Sequence, residues 1–125
     1  QFEVADLGYD PFQATMLVNE LRDLGINCVE VRSTVQNFSQ PMKHLDGLIR
    51  AGKIEHDGSP AMTWMIGNTV AAADAKDNVY PRKEQGENKI DGVVAALAGL
   101  ARQMAAVPAA ASSLSAPGAI EAFFG

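Results

Sequence analysis

Two aspartates are the residues of this 125-residue chain whose types and places best suit chemistry. Asp10 follows residues 2–9 (FEVADLGY), where Phe2, Val4 and Leu7–Tyr9 give strand character. The C-terminal ends of strands are where α/β sheets present ligand sites. Asp91 falls in the first turn of a helix expected over residues 89–105. Carboxylates are hard oxygen donors that suit Mg²⁺ or Mn²⁺. Two such ions, about 4 Å apart, can activate water and stabilise the leaving oxygen of a phosphodiester. Each aspartate also has a purely structural reading. Asp10 precedes Pro11 and fits a helix N-cap, while Asp91 complements the helix dipole. Spacing alone favours the structural roles, because a strand-end acid and a helix-start acid occur together in many α/β domains.

The other polar residues are less specific. Lys83 and Lys89 flank the loop before Asp91, where they can meet phosphates or simply lie in solvent. Lys43, Arg50 and Lys53 read as a solvated helix face, with Asp46 four residues before Arg50 as its partner. His44 and His56 are separated by a loop rather than set at ligand spacing, and His56 reads as a turn residue. Cys28 and Trp64 read as core. One cysteine excludes an intramolecular disulfide framework, and two histidines with one cysteine cannot build a Cys/His zinc site. No G-x-x-x-x-G-K-[ST] phosphate loop is present.

The elements that must position the two acids follow from periodicity. Ala14, Leu17, Val18, Leu21 and Leu24 have helical spacing, and Gly25 fits the left-handed residue that ends such a helix. Residues 26–32 (INCVEVR) read as a second strand, so the unit predicts a parallel pair in an α/β sheet. A second helix is expected to start at Ser39, with Pro41 in its first turn and Gly52 at its end. Ser59-Pro60 repeats the cap-then-proline start for a short helix through Met62, Trp64, Met65 and Ile66. Residues 69–84, with polar Asp74–Asn78 between apolar arms, predict a β-hairpin. In the last helix Ile90, Val93, Val94, Leu97, Leu100, Ala101 and Met104 fall on one stripe. From residue 105 the chain turns to Ala, Ser and Pro, so residues 1–104 read as the domain and 105–125 as a flexible tail.

Composition bounds the function. With 47% apolar residues the chain can bury a core, and no apolar run approaches the roughly 20 residues of a bilayer span. A net charge of −5 argues against tight, unaided nucleic-acid binding. The chain opens with Gln1, which raises the expectation of a piece cut from a larger polypeptide.

The order of short motifs resembles the large terminase subunit of tailed phages. The resemblance rests on Gly8-Tyr9-Asp10-Pro11, Gly25-Ile26, Ser39-Gln40-Pro41-Met42-Lys43, Gly52–Pro60 (GKIEHDGSP), Trp64 with Asn68, Pro81-Arg82-Lys83 and Lys89–Ala95 (KIDGVVA). It covers about residues 3–104 and implies the second half of the C-terminal nuclease domain, a ribonuclease H-like α/β fold lacking its first strands. It further implies a Mg²⁺- or Mn²⁺-dependent endonuclease that cuts concatemeric phage DNA, with Asp10 and Asp91 as catalytic metal ligands. Lys83 and Lys89 then become DNA contacts, and the 69–84 hairpin a gate for the duplex. The partners implied are double-stranded DNA, the portal protein, the small terminase subunit and an N-terminal ATPase domain, at the procapsid in the host cytoplasm. A further family acid lies upstream of Gln1, so the chain alone is expected to be inactive. A non-enzymatic alternative is an α/β interaction module that docks to portal or subunit partners through its C-terminal tail and Phe123-Phe124.

Overall fold

The structure is a computed structural model that describes residues 2–111, with side chains through residue 106. The order is β1 (Leu7–Tyr9), α1 (Thr15–Asp23), β2 (Cys28–Glu30), α2 (Val35–Arg50), α3 (Pro60–Gly67), β3 (Thr69–Ala73), β4 (Val79–Lys83) and α4 (Asp91–Ala111). The expected parallel pair forms, with Leu7 opposite Cys28 and Tyr9 opposite Glu30. The expected hairpin forms as antiparallel β3 and β4, from Thr69 opposite Lys83 to Ala73 opposite Val79. The tail expected over 105–125 begins inside α4, which runs to Ala111, and from residue 112 it lies outside the described residues.

Helix starts depart from the local signals in two places. Asp10 does not cap α1. The helix begins at Thr15 behind Ala14, which makes no side-chain cap, and Gln13 sits at a left-handed φ of 56°. Asp10 Oδ1 instead accepts from Phe12 N–H at 3.0 Å, an Asx turn that delays the helix by a turn. Similarly, α2 begins four residues before Ser39. Thr34 caps it by accepting from Asn37 N–H, and Pro41 lies inside the helix. Ser39, 3% exposed, uses its hydroxyl to accept from Val79 N–H at 3.1 Å, so it ties α2 to β4. The Ser59-Pro60 start of α3 is as expected, with Ser59 Oγ accepting from Met62 N–H.

The core gathers on α4. Val31, Phe38, Val93, Leu97 and Ala98 form one buried cluster, with Met42, Leu45, Met62 and Met65 packed around it. Trp64, expected in the core, is 54% exposed, because α3 meets α4 through Met62 and Met65 instead. Cys28 is buried and free, as its strand position implied. In α1 only Val18 is buried, while Leu17 and Leu24 of its apolar stripe stay exposed. A two-stranded sheet is too narrow to cover the whole stripe. Asp46 and Arg50 pair at 2.8 Å, as their spacing predicts.

Candidate functional site

Asp10 leaves β1 with its carboxylate already oriented. Oδ1 accepts from Phe12 N–H at 3.0 Å and Oδ2 from Ser33 N–H at 2.8 Å. The Phe12 bond first, then the Ser33 backbone and hydroxyl bonds, hold this carboxyl below its usual value; nearby Arg32 adds to them and burial opposes them. These bonds take three of roughly four acceptor directions, and the one left can meet a cation or a water.

The placement of Asp91 follows from how β1 meets α4. A Cβ on Gly8 would lie 3.0 Å from Arg102 Cγ and 3.1 Å from the Ala98 carbonyl oxygen, so only glycine permits this approach. Two residues before Gly8, Asp6 accepts from Arg102 at 2.8 Å. Glu30 and Val31 line a cleft with Arg102 and Ala105, whereas Ser33, bonded to Asp10, lines another with Val94, so the parallel β1–β2 pair runs opposite to α4. Seven residues separate Asp91 from Ala98, nearly two full turns, so both share the helix face that meets β1. The C-terminal end of β1 and the N-terminal end of α4 therefore present their acids at the same end of the fold.

The surroundings support this end. A cleft of about 120 Å³ is lined by Ser33, Thr34, Phe38, Tyr80, Pro81 and Val94, between the Asp10 anchor, the hairpin and the first turn of α4. On the other side α3 abuts the start of α4. Gly92 N–H contacts Met65 Sδ at 3.2 Å, and a Cβ on Gly92 would come within 2.6 Å of Met65 Cε. Buried Asn68 grips both ends of the loop between β4 and α4. Its carbonyl accepts from Glu84 N–H at 2.8 Å, and its Nδ2 donates to the Lys89 carbonyl at 3.0 Å. That grip holds the backbone of Lys83 and Lys89 near one point, with both residues exposed and Asp91 two residues beyond. Ser33 and Thr34 were not signalled by the sequence as site residues. The only local cue was Thr34-x-x-Asn37, a helix-start spacing.

The donor chemistry fits a hard divalent cation in kind but not in number. Among the described residues no group of three His, Cys, Asp or Glu is placed to hold a metal ion. Asp10 and Asp91 are carboxylates of the right hardness, but two such groups fall short of the six oxygens such an ion takes. Among the described residues, no helix is long and apolar enough to cross a membrane.

Comparison with known proteins gives three findings. The family model described as "Terminase large subunit, endonuclease domain" matches residues 1–106. The protein YmfN of Escherichia coli strain K12 is 45% identical over 103 residues, which cover 81% of this chain and 23% of that protein. The crystal structure of the large terminase of bacteriophage HK97 superposes with a TM-score of 0.70 at 21% identity, covering 81% of this chain and 22% of that one. The chain thus spans less than a quarter of the length of the two relatives it matches. At that identity the HK97 match shows a shared fold: a mixed α/β arrangement with small sheets.

Proposed function

The chain belongs to the family of terminase large subunit endonuclease domains, and from that premise we propose that it carries part of the site of a metal-dependent DNA endonuclease. The observation that supports this reading is the shared end of the fold. Asp10 is anchored at the end of β1, and Asp91 lies on the face of α4 that packs against the same strand. In this reading the architecture is ribonuclease H-like, and Asp10 and Asp91 together hold Mg²⁺ or Mn²⁺.

The bound ions would supply an activated water and stabilise the leaving oxygen of the phosphodiester. The residues of this chain do the rest. Phe12 and Ser33 N–H groups keep Asp10 ionised and pointed, so no reorientation is needed when a cation arrives. Exposed Lys83 and Lys89, brought together where Asn68 bonds both ends of their loop, lead into Asp91 and in this reading contact the phosphates flanking the cut. The β3–β4 hairpin, which contributes Tyr80 to the cleft, limits how a duplex approaches. With a net charge of −5, the chain does not hold DNA tightly unaided. The packaging machinery delivers the DNA: an ATPase domain, the portal and the small terminase subunit, acting at the procapsid in the host cytoplasm. Among the described residues the ligand set is incomplete, so in this reading cleavage draws on a further acid beyond Asp10 and Asp91.

The test is a Mn²⁺ titration of the isotope-labelled chain followed by NMR. The amide signals of Phe12, Ser33 and Gly92 are expected to broaden together, and Asp10→Asn or Asp91→Asn should each weaken the effect at all three. Broadening around one aspartate that ignores removal of the other would refute a shared site.

A further inference from the structure

The turn that anchors Asp10 is itself held from one side. Ser33 is the apex of a three-residue turn in which Thr34 N–H donates to the Arg32 carbonyl at 2.8 Å. The same carbonyl accepts a second bond, from Asn37 Nδ2, also at 2.8 Å. Asn37 in turn donates its backbone N–H to Thr34 Oγ1 at 3.2 Å. Arg32, Thr34 and Asn37 thus close a clasp around Ser33, and the Ser33 N–H points out of it at Asp10 Oδ2.

That bond differs in kind from the Phe12 bond on the same carboxylate. Phe12 belongs to the same turn as Asp10 and moves with it, whereas Ser33 belongs to the segment between β2 and α2. A single local bond leaves the carboxylate free to swing about its terminal torsion, which is broad for aspartate. The second bond, from a separate segment, removes that freedom. We propose that Asn37 is a positioning residue for Asp10. Through the Arg32 carbonyl it fixes the Ser33 turn, and so the direction in which Asp10 presents its unused acceptor site. This deepens the reading of Asp10 as a metal ligand and rests on it. Groups that orient a ligand without touching the metal commonly tune its affinity by tenfold or more.

The variant Asn37→Ala removes the side-chain donor but keeps the backbone bond to Thr34 and raises helix propensity, so the start of α2 survives. Gln36→Ala is the control on the same helical turn. Two quantities are read on the full chain: amide exchange without metal, and the Mn²⁺ concentration that half-broadens the Phe12 signal. Asn37→Ala should speed Ser33 exchange about fivefold while leaving Leu97 unchanged. It should raise the Mn²⁺ midpoint about tenfold. Gln36→Ala should change neither. Unchanged Ser33 exchange in Asn37→Ala overturns the proposal, and so does faster exchange with an unmoved Mn²⁺ midpoint. If the unsubstituted chain shows no Mn²⁺ broadening at all, the metal reading fails instead, and Ser33 exchange alone then decides whether the clasp holds the turn.

Discussion

Gly8→Ala tests the contact on which the geometry of the site depends. The added methyl would lie 3.0 Å from Arg102 Cγ, 3.1 Å from the Ala98 carbonyl oxygen and 3.2 Å from Val31 Cγ2, where ordinary contact begins near 3.4 Å. Arg102 is flexible, but it is tethered to Asp6, and the Ala98 oxygen is backbone inside α4. Relief therefore requires strand and helix to separate by a few tenths of an ångström along the face carrying Leu97 and Ala98. Overpacking of this kind costs about 1–3 kcal/mol. Replacing glycine in a strand returns about 0.5–1 kcal/mol by restricting the unfolded chain. The net expectation is a loss of about 1–2 kcal/mol, or a melting-point drop of about 4–12 °C for a domain of this size. Gly47→Ala is the control. It lies within α2, a Cβ there meets nothing within 4 Å, and it should gain up to about 1 kcal/mol. Urea denaturation followed by far-UV circular dichroism measures both variants. Gly8→Ala as stable as the wild type, with an unchanged Mn²⁺ response, would refute the close approach of β1 to α4 and its bearing on the proposed Asp10–Asp91 site.

Four further outcomes are expected. Ser39→Ala strips Val79 N–H of its buried acceptor and should cost about 1–2 kcal/mol in denaturant, with the hairpin amides losing protection first. Arg102→Met removes the part-buried partner of Asp6 and should cost about 1–2 kcal/mol by the same assay. Leu97→Ala empties the most buried of the described positions and should cost about 2–5 kcal/mol, whereas Trp64→Ala, half exposed, should cost distinctly less; equal losses would contradict the packing of α3. The Asp10 carboxyl titrates below its unfolded value of 3.8, so its stabilising effect is complete above about pH 5 and is lost as pH falls through the lower folded value. Asp10→Asn should therefore flatten the acid limb of the stability profile from about pH 5 downward, measured by thermal melts at falling pH.

Features decided within a few residues were legible in the sequence. The parallel strand–helix–strand unit, the hairpin, the Ser59-Pro60 start of α3, the glycine after α1 and the Asp46–Arg50 pair all rest on local capping, φ preference or side-chain period. The family, too, was legible, since the order of short motifs lies in the chain itself, and the family match covers residues 1–106. What the sequence could not settle was which of two competing local signals wins when a distant partner intervenes. Ser39 and Thr34 are both good caps, and the choice of Thr34 goes with Ser39 accepting from Val79, forty residues away. Asp10 is a good cap as well, yet its second oxygen accepts from Ser33 across the β1–β2 pair. Trp64 has a helical place that suits burial, but the short α3 meets α4 along its methionines. The packing of β1 on α4, on which the proposed Asp10–Asp91 site depends, is likewise tertiary. It rests on the contacts of Gly8 and Asp6 with Ala98 and Arg102, between residues ninety or more apart whose pairing no local period encodes.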